Sequence, residues 1–186
     1  TRTVMIGGTF CGRLVEAASR SDADLSSLRF MALGGAVTTA EQKAALLERM
    51  PGLTIADTAG STESGRVLAA ASTSDSGAVT LFSPAPDTAL LSEDMDSVLA
   101  PGGGGQGWLA SRGRIPLGYL NDEAKTAGTF RDVEGSRWAV IGDRAEYVDD
   151  GSDRVLVRLL GRESVTINTG GEKVFAEEVE GVVAQH

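Results

Sequence analysis

A strand–helix–strand unit between Leu28 and Ala56 constrains this chain more than any other feature. Leu28 to Leu33 is an apolar run of strand length that ends in Gly34-Gly35-Ala36. Thr38 then opens a helix, with Glu41 at the capping-box spacing three residues on. Leu46, Leu47 and Met50 supply its buried face, and Pro51-Gly52 ends it. Leu53 to Ala56 is a second short apolar run. Strands joined through a helix lie parallel. In an open parallel sheet, ligands sit beyond the carboxyl ends of the strands. Two small-residue loops leave from such ends, Gly34-Gly35-Ala36 and Gly60-Ser61-Thr62-Glu63. Position and composition thus mark one ligand crevice lined by both loops. A helix over Thr9 to Arg20 precedes the unit, with Phe10, Leu14, Ala17 and Ala18 on one side.

The texture changes at Ala78. Ala78 to Phe82, Thr88 to Leu91, Gln106 to Ala110, Arg137 to Ile141, Ala145 to Val148 and Val155 to Leu160 read as strands. Turn clusters separate them, which predicts an antiparallel sheet or small distorted barrel, interrupted by one helix near Asp122 to Gly128. The glycine run 102–105 lacks a following Lys-Ser/Thr and reads as a flexible turn, not a phosphate cradle.

A net charge of −9 argues against nucleic acid and against an anionic membrane surface. It leaves room for a nucleotide, whose phosphates need only local donors. The single cysteine, Cys11, cannot form an internal disulfide, which fits a reducing, cytoplasmic setting. The only histidine is His186, so a Ser-His-Asp hydrolase and a His/Cys zinc site are close to excluded. No apolar run approaches the ~20 residues of a membrane span.

Within the second loop, Gly60-Ser61-Thr62-Glu63 offers hydroxyls and backbone N–H groups for phosphate oxygens and a carboxylate for Mg²⁺. The same residues could equally make a helix cap or a polar turn. Asp143, after Val140-Ile141-Gly142, offers two oxygens to the vicinal hydroxyls of a ribose; capping a turn is the plainer alternative. Arg162 follows the Val155 to Leu160 strand and offers a forked, permanently charged donor, or a surface ion pair. Val165 and Ile167 come next, then Gly170-Gly171-Glu172-Lys173 and an acidic helix start at Ala176-Glu177-Glu178. Phe175, Val179, Val182 and Val183 fall on one helical face.

This ordered set resembles the adenylate-forming enzymes: acyl-CoA synthetases, luciferases and peptide-synthetase adenylation domains. Ile167-Asn-Thr-Gly-Gly-Glu-Lys-Val-Phe-x-Glu-Glu-Val-Glu180 looks most like bacterial fatty-acyl-CoA synthetases. The resemblance implies a fold of α/β followed by mainly antiparallel β. Residues 1–77 would form part of a parallel-sheet nucleotide-binding subdomain, 78–161 a β-barrel-like subdomain, and 162–186 a hinge and the start of a C-terminal lid. It implies ATP or AMP, Mg²⁺, and CoA as cosubstrate, with a fatty or other apolar carboxylic acid. Thr62 would meet phosphate and Glu63 the metal. Gly34, Gly35 and Ala36 would line adenine, with Asp57 and Ser61 among the cofactor-binding residues. Asp143 would hold the ribose, and Arg162 the ribose and phosphate. Ser164 would be the hinge, Gly170 and Gly171 the CoA-side loop, and Lys173 a lid contact. The stretch Gly113 to Phe130 matches a further family motif and is assigned a structural role, with Tyr119 and Phe130 packing. Where the family usually carries an adenine-stacking aromatic before Gly60, this chain has Ala59.

The family's phosphate loop with its lysine, and its C-terminal catalytic lysine, have no counterpart here. The expectation is an internal-to-late portion of an acyl-CoA synthetase with little adenylation activity by itself, its site completed by a complementary chain. The alternative is a non-catalytic nucleotide-binding or interaction fragment of such a protein.

Overall fold

The computed structural model describes residues 2–7, 10–21, 24–35, 38–103, 105–165, 167–168, 173–174 and 176–183. It divides into two compact units: Thr1–Ala59 with Ala69–Thr80, and Gly60–Leu68 with Leu81–His186.

In the first unit, β1 (Arg2–Gly7), β2 (Leu28–Gly34) and β3 (Thr54–Ser61) pair in parallel. Helices α1 (Cys11–Ser19) and α2 (Ala40–Arg49) make the connections. The parallel unit is therefore as the sequence implies, with one strand more. Its core gathers Cys11, Met31, Leu33, Leu46, Leu47, Met50, Leu53 and Ile55. The helix α1 begins two residues later than its pattern suggests and turns a different face inward. Cys11 and Ala18 are buried, Leu14 and Val15 pack against the core, and Phe10 is exposed. Burial holds the Cys11 thiol above its ordinary pKa.

The cap of α2 is Thr39, not Thr38. Its hydroxyl accepts from the Gln42 N–H at 3.2 Å, and the Gln42 side chain accepts from the Thr39 N–H at 3.2 Å. On that helix Lys43 lies one turn before Leu46 and Leu47, so it shares their inward face. On β3 the two-residue period that buries Ile55 also buries Asp57. The two charges meet and form an ion pair, with side chains 2% and 9% exposed. The Lys43 ammonium also donates to the Val79 carbonyl at 2.7 Å, while the Ser72 hydroxyl accepts from the Val79 N–H at 2.9 Å. Side chains thus take both backbone groups of Val79, which is why no strand forms over Ala78 to Phe82; β5 is only Ser83–Pro84.

The second expected loop is a tight turn over residues 62–64, shorter than expected. β3 runs on to Ser61, and β4 (Gly65–Ser72) returns after three residues. The second unit is built on an antiparallel sheet ordered β10-β9-β7-β6, from β6 (Thr88–Leu91), β7 (Gln106–Ser111), β9 (Ser136–Val148) and β10 (Leu156–Arg162). A further strand, β8 (Phe130–Val133), was not foreseen. It pairs with the first part of β9, Phe130 opposite Ala139, while β10 pairs with the last part, Leu159 opposite Ala145. One long strand is thus flanked by two successive neighbours, and the sheet curls. The expected strands 137–141 and 145–148 are this single β9, bent where Gly142 takes φ 89°. The core here is Leu91, Ala110, Val133, Trp138 and Val140.

The helix α3 (Glu123–Thr129) is capped by Asp122, whose carboxylate accepts from the Lys125 N–H at 2.9 Å. After a 3₁₀ turn at Glu163–Val165 come the antiparallel pair β11 (Ile167–Asn168) and β12 (Lys173–Val174), then α4 (Ala176–Val183). Val179, Val182 and Val183 of α4 are exposed, and Phe175 lies outside the described residues. Among the described residues, no helix is long and apolar enough to cross a membrane.

Removing one partner of a buried pair strands the other charge. Lys43→Met is therefore expected to lower unfolding free energy by about 3–5 kcal/mol, measured by urea denaturation. The double variant Lys43→Met/Asp57→Leu recovers much of that loss.

Candidate functional site

The turn between β3 and β4 carries the Ser-Thr-Glu motif, and its shape follows from Gly60. A Cβ at that position would lie 2.0 Å from the Gly65 carbonyl oxygen, so no side chain fits. The Ser61 hydroxyl then accepts from the N–H groups of Glu63 (3.1 Å) and Ser64 (3.2 Å), while the Ser61 N–H donates to the Ser64 hydroxyl at 3.1 Å. Ser61 thus braces the turn. Thr62 is left exposed at its tip and Glu63 half-buried beside it.

Glu63 has a partner that lies 56 residues away. The Tyr119 hydroxyl donates to Glu63 Oε1 at 2.5 Å. This bond, with a smaller one from Ser61, holds the Glu63 carboxyl below its ordinary pKa; it pushes the Tyr119 phenol up. The structural role expected for Tyr119 gains a second part. Its ring does pack against Phe130, centroids 6.0 Å apart, but its hydroxyl reaches the motif glutamate.

Asp143 and Arg162 are brought together directly. They face each other in the β9–β10 register, and Arg162 Nε donates to Asp143 Oδ1 at 2.9 Å. Gly142 bends β9 immediately before Asp143, which is buried. Ser164 sits two residues beyond Arg162, exposed in the 3₁₀ turn.

In the first unit, Gly34 ends β2 and Gly35 takes φ 79°, a conformation that favours glycine. The Thr58 hydroxyl donates to the Leu33 carbonyl at 3.1 Å, tying the start of this loop to β3. Asp57 is turned inward onto Lys43. Ala36, Gly170 and Gly171 lie outside the described residues.

Comparison with characterised proteins gives this geometry a context. The chain is 45% identical over 182 residues to the medium-chain acyl-CoA ligase Mig of Mycobacterium avium, covering 98% of this chain and 32% of that protein. It is 42% identical over 170 residues to a medium/long-chain-fatty-acid–CoA/3-oxocholest-4-en-26-oate–CoA ligase of Mycobacterium tuberculosis, covering 89% of this chain and 30% of that protein. The chain is kin to the adenylate-forming fatty-acyl-CoA ligases. Its mixed α/β fold with one curled sheet matches that of adenylate-forming enzymes of known structure. The amide bond synthetase McbA of Marinactinospora thermotolerans superposes with a TM-score of 0.76 at 26% identity, covering all (100%) of this chain and 36% of that one. No family profile matches the chain.

This ligase relative spans about a third of the length of the curated proteins it matches. The kinship reaches both units, because the 182 aligned residues are nearly the whole chain. The Tyr119–Glu63 bond had no signal in local spacing. Only a three-dimensional pairing of the two motifs exposes it.

The turn should be intolerant where it is tight and tolerant at its tip. Gly60→Ala is expected to cost about 1–3 kcal/mol through overpacking, read as a fall in thermal midpoint. Thr62→Ala, at an exposed site, should stay within about 0.5 kcal/mol of wild type.

Proposed function

We propose that the chain is part of an ATP-dependent acyl-CoA synthetase acting on a fatty or other apolar carboxylic acid. In the first step a carboxylate oxygen attacks the α-phosphorus of ATP. A C–O–P anhydride forms, the α–β P–O bond breaks, and pyrophosphate leaves. In the second step the CoA thiol loses its proton and its sulfur attacks the acyl carbon; the C–O bond to the phosphate breaks and AMP leaves. The carrying observation is the bond between Asp143 and Arg162. Two residues 19 positions apart that the resemblance assigns to the same ribose lie side by side.

The roles follow from chemistry. Asp143 accepts the two ribose hydroxyls, and Arg162 directs its fork at ribose and phosphate. The Thr62 hydroxyl donates to a phosphate oxygen. Among the described residues there is no cluster of three or more His, Cys, Asp or Glu that could hold a metal. One carboxylate beside hydroxyls does fit a magnesium ion carried by the nucleotide, since Mg²⁺ binds through one or two carboxylates plus phosphates. Glu63 would hold it, and the ion would neutralise phosphate charge there. The backbone of Gly34, Gly35 and Ala36 lines adenine. Ser61 acts by shaping the phosphate turn, and Asp57 by fixing β3 through its buried pair with Lys43. Residues 162–186 supply the hinge at Ser164 and the first part of a lid, with Gly170 and Gly171 toward CoA. A phosphate loop and catalytic lysine come from a complementary portion, and the enzyme works in the cytoplasm.

Calorimetry with AMP tests the assignment. Asp143→Ala removes charged hydrogen bonds to the sugar and is expected to weaken AMP binding about 10- to 100-fold. Equal affinity in wild type and variant overturns it.

A further inference from the structure

Glu63 stands half-buried on the turn and has three side-chain torsions. A glutamate so placed would ordinarily sample many rotamers, and fixing it costs entropy. In this structure one of its oxygens is already held by a donor that is itself fixed from several sides. The Tyr119 N–H donates to the Thr126 hydroxyl at 2.9 Å, and that hydroxyl donates to the Asp122 carbonyl at 2.7 Å. Gly118 passes so close to Thr126 that a Cβ would stand 2.6 Å from its methyl carbon. The Arg137 fork donates to the carbonyls of Pro116 and Leu117 at 2.8 and 2.7 Å, clamping the approach to Tyr119. The same guanidinium lies 4.5 Å from the centre of the Phe130 ring, on which Tyr119 packs. The Lys125 ammonium lies 4.1 Å from the centre of the Tyr119 ring.

We propose that Tyr119 is a positioning residue for Glu63: its hydroxyl sets the orientation of the carboxylate that holds the nucleotide-bound Mg²⁺. The inference rests on the reading of Glu63 as the magnesium ligand. The physical ground is pre-organisation. A carboxylate aimed before the ion arrives loses less freedom on binding it. An outer partner that hydrogen-bonds a metal-binding carboxylate orients it and tunes its affinity. The stretch from Gly113 to Phe130 then has a task beyond packing: it is the mount for one hydroxyl.

Tyr119→Phe is the decisive variant. It keeps the ring, and with it the contacts to Phe130 and Lys125, so the chain folds. Mn²⁺ serves as the probe, its binding to the full chain with ATP followed by electron paramagnetic resonance. Metal-free AMP affinity and thermal midpoint are measured in parallel. Tyr119→Phe is expected to raise the half-saturating Mn²⁺ concentration about tenfold or more, with AMP affinity and midpoint unchanged. Glu63→Gln should raise it at least as far, and the double variant no further than Glu63→Gln. A shift in Glu63→Gln with none in Tyr119→Phe overturns the inference and leaves the metal reading standing. No Mn²⁺ dependence in wild type, or none lost in Glu63→Gln, overturns the metal reading itself and the inference with it. A Tyr119→Phe variant that loses Mn²⁺ affinity, AMP affinity and midpoint together shows a structural tyrosine and also overturns the inference.

Discussion

The contact between Gly60 and the backbone of Gly65 is the constraint on which the candidate site depends. The backbone of Gly65 passes so closely that position 60 can carry no side chain. The reversal must then be completed in three residues, and Ser61 closes it with its own hydroxyl. Thr62 and Glu63 have no other place to be than the tip and shoulder of that turn. A looser loop of the same composition would display the same residues without aiming them. Here the hydroxyl of Ser61 belongs to the scaffold and that of Thr62 to solvent, a division of labour that composition alone does not reveal.

A second constraint acts through β9. It is long enough to take β8 along its first part and β10 along its last, with β7 opposite both. The bend at Gly142 separates the two parts, and the next residue is Asp143. The register with β10 then puts Arg162 opposite that aspartate. An acidic and a basic side chain, 19 positions apart, meet because two strands have a fixed alignment. Their proximity is a property of the sheet before it is a property of any ligand.

Much of this was legible in the sequence. Helical and strand periods gave the parallel unit, because burial follows those periods closely in β2, α2 and β3. In the second unit motif context singled out Thr62, Glu63, Asp143 and Arg162, and the structure pairs the last two. What escaped has physical reasons. β1 and β8 are short and carry no distinctive alternation. Gly60 to Glu63 is small and polar and reads as a loop, yet β3 runs through Ser61 because a tight hairpin, not composition, decides where pairing stops. Val79 looks like a strand residue, but side chains take both its backbone groups. The inward position of Lys43 was readable from its spacing to Leu46 and Leu47, and that of Asp57 from its spacing to Ile55. A charge on an apolar face is an invitation to look for its opposite.

That buried pair also limits how this sequence can change over time. One ammonium holds the middle of β3 and a distant carbonyl at once, so it joins three segments of the chain. A lineage that replaces Lys43 alone passes through a protein with an uncompensated carboxylate inside its core, a state that natural selection rarely tolerates. Positions 43 and 57 should therefore drift as a couple: conserved together or exchanged together for an apolar pair, with few intermediates surviving between.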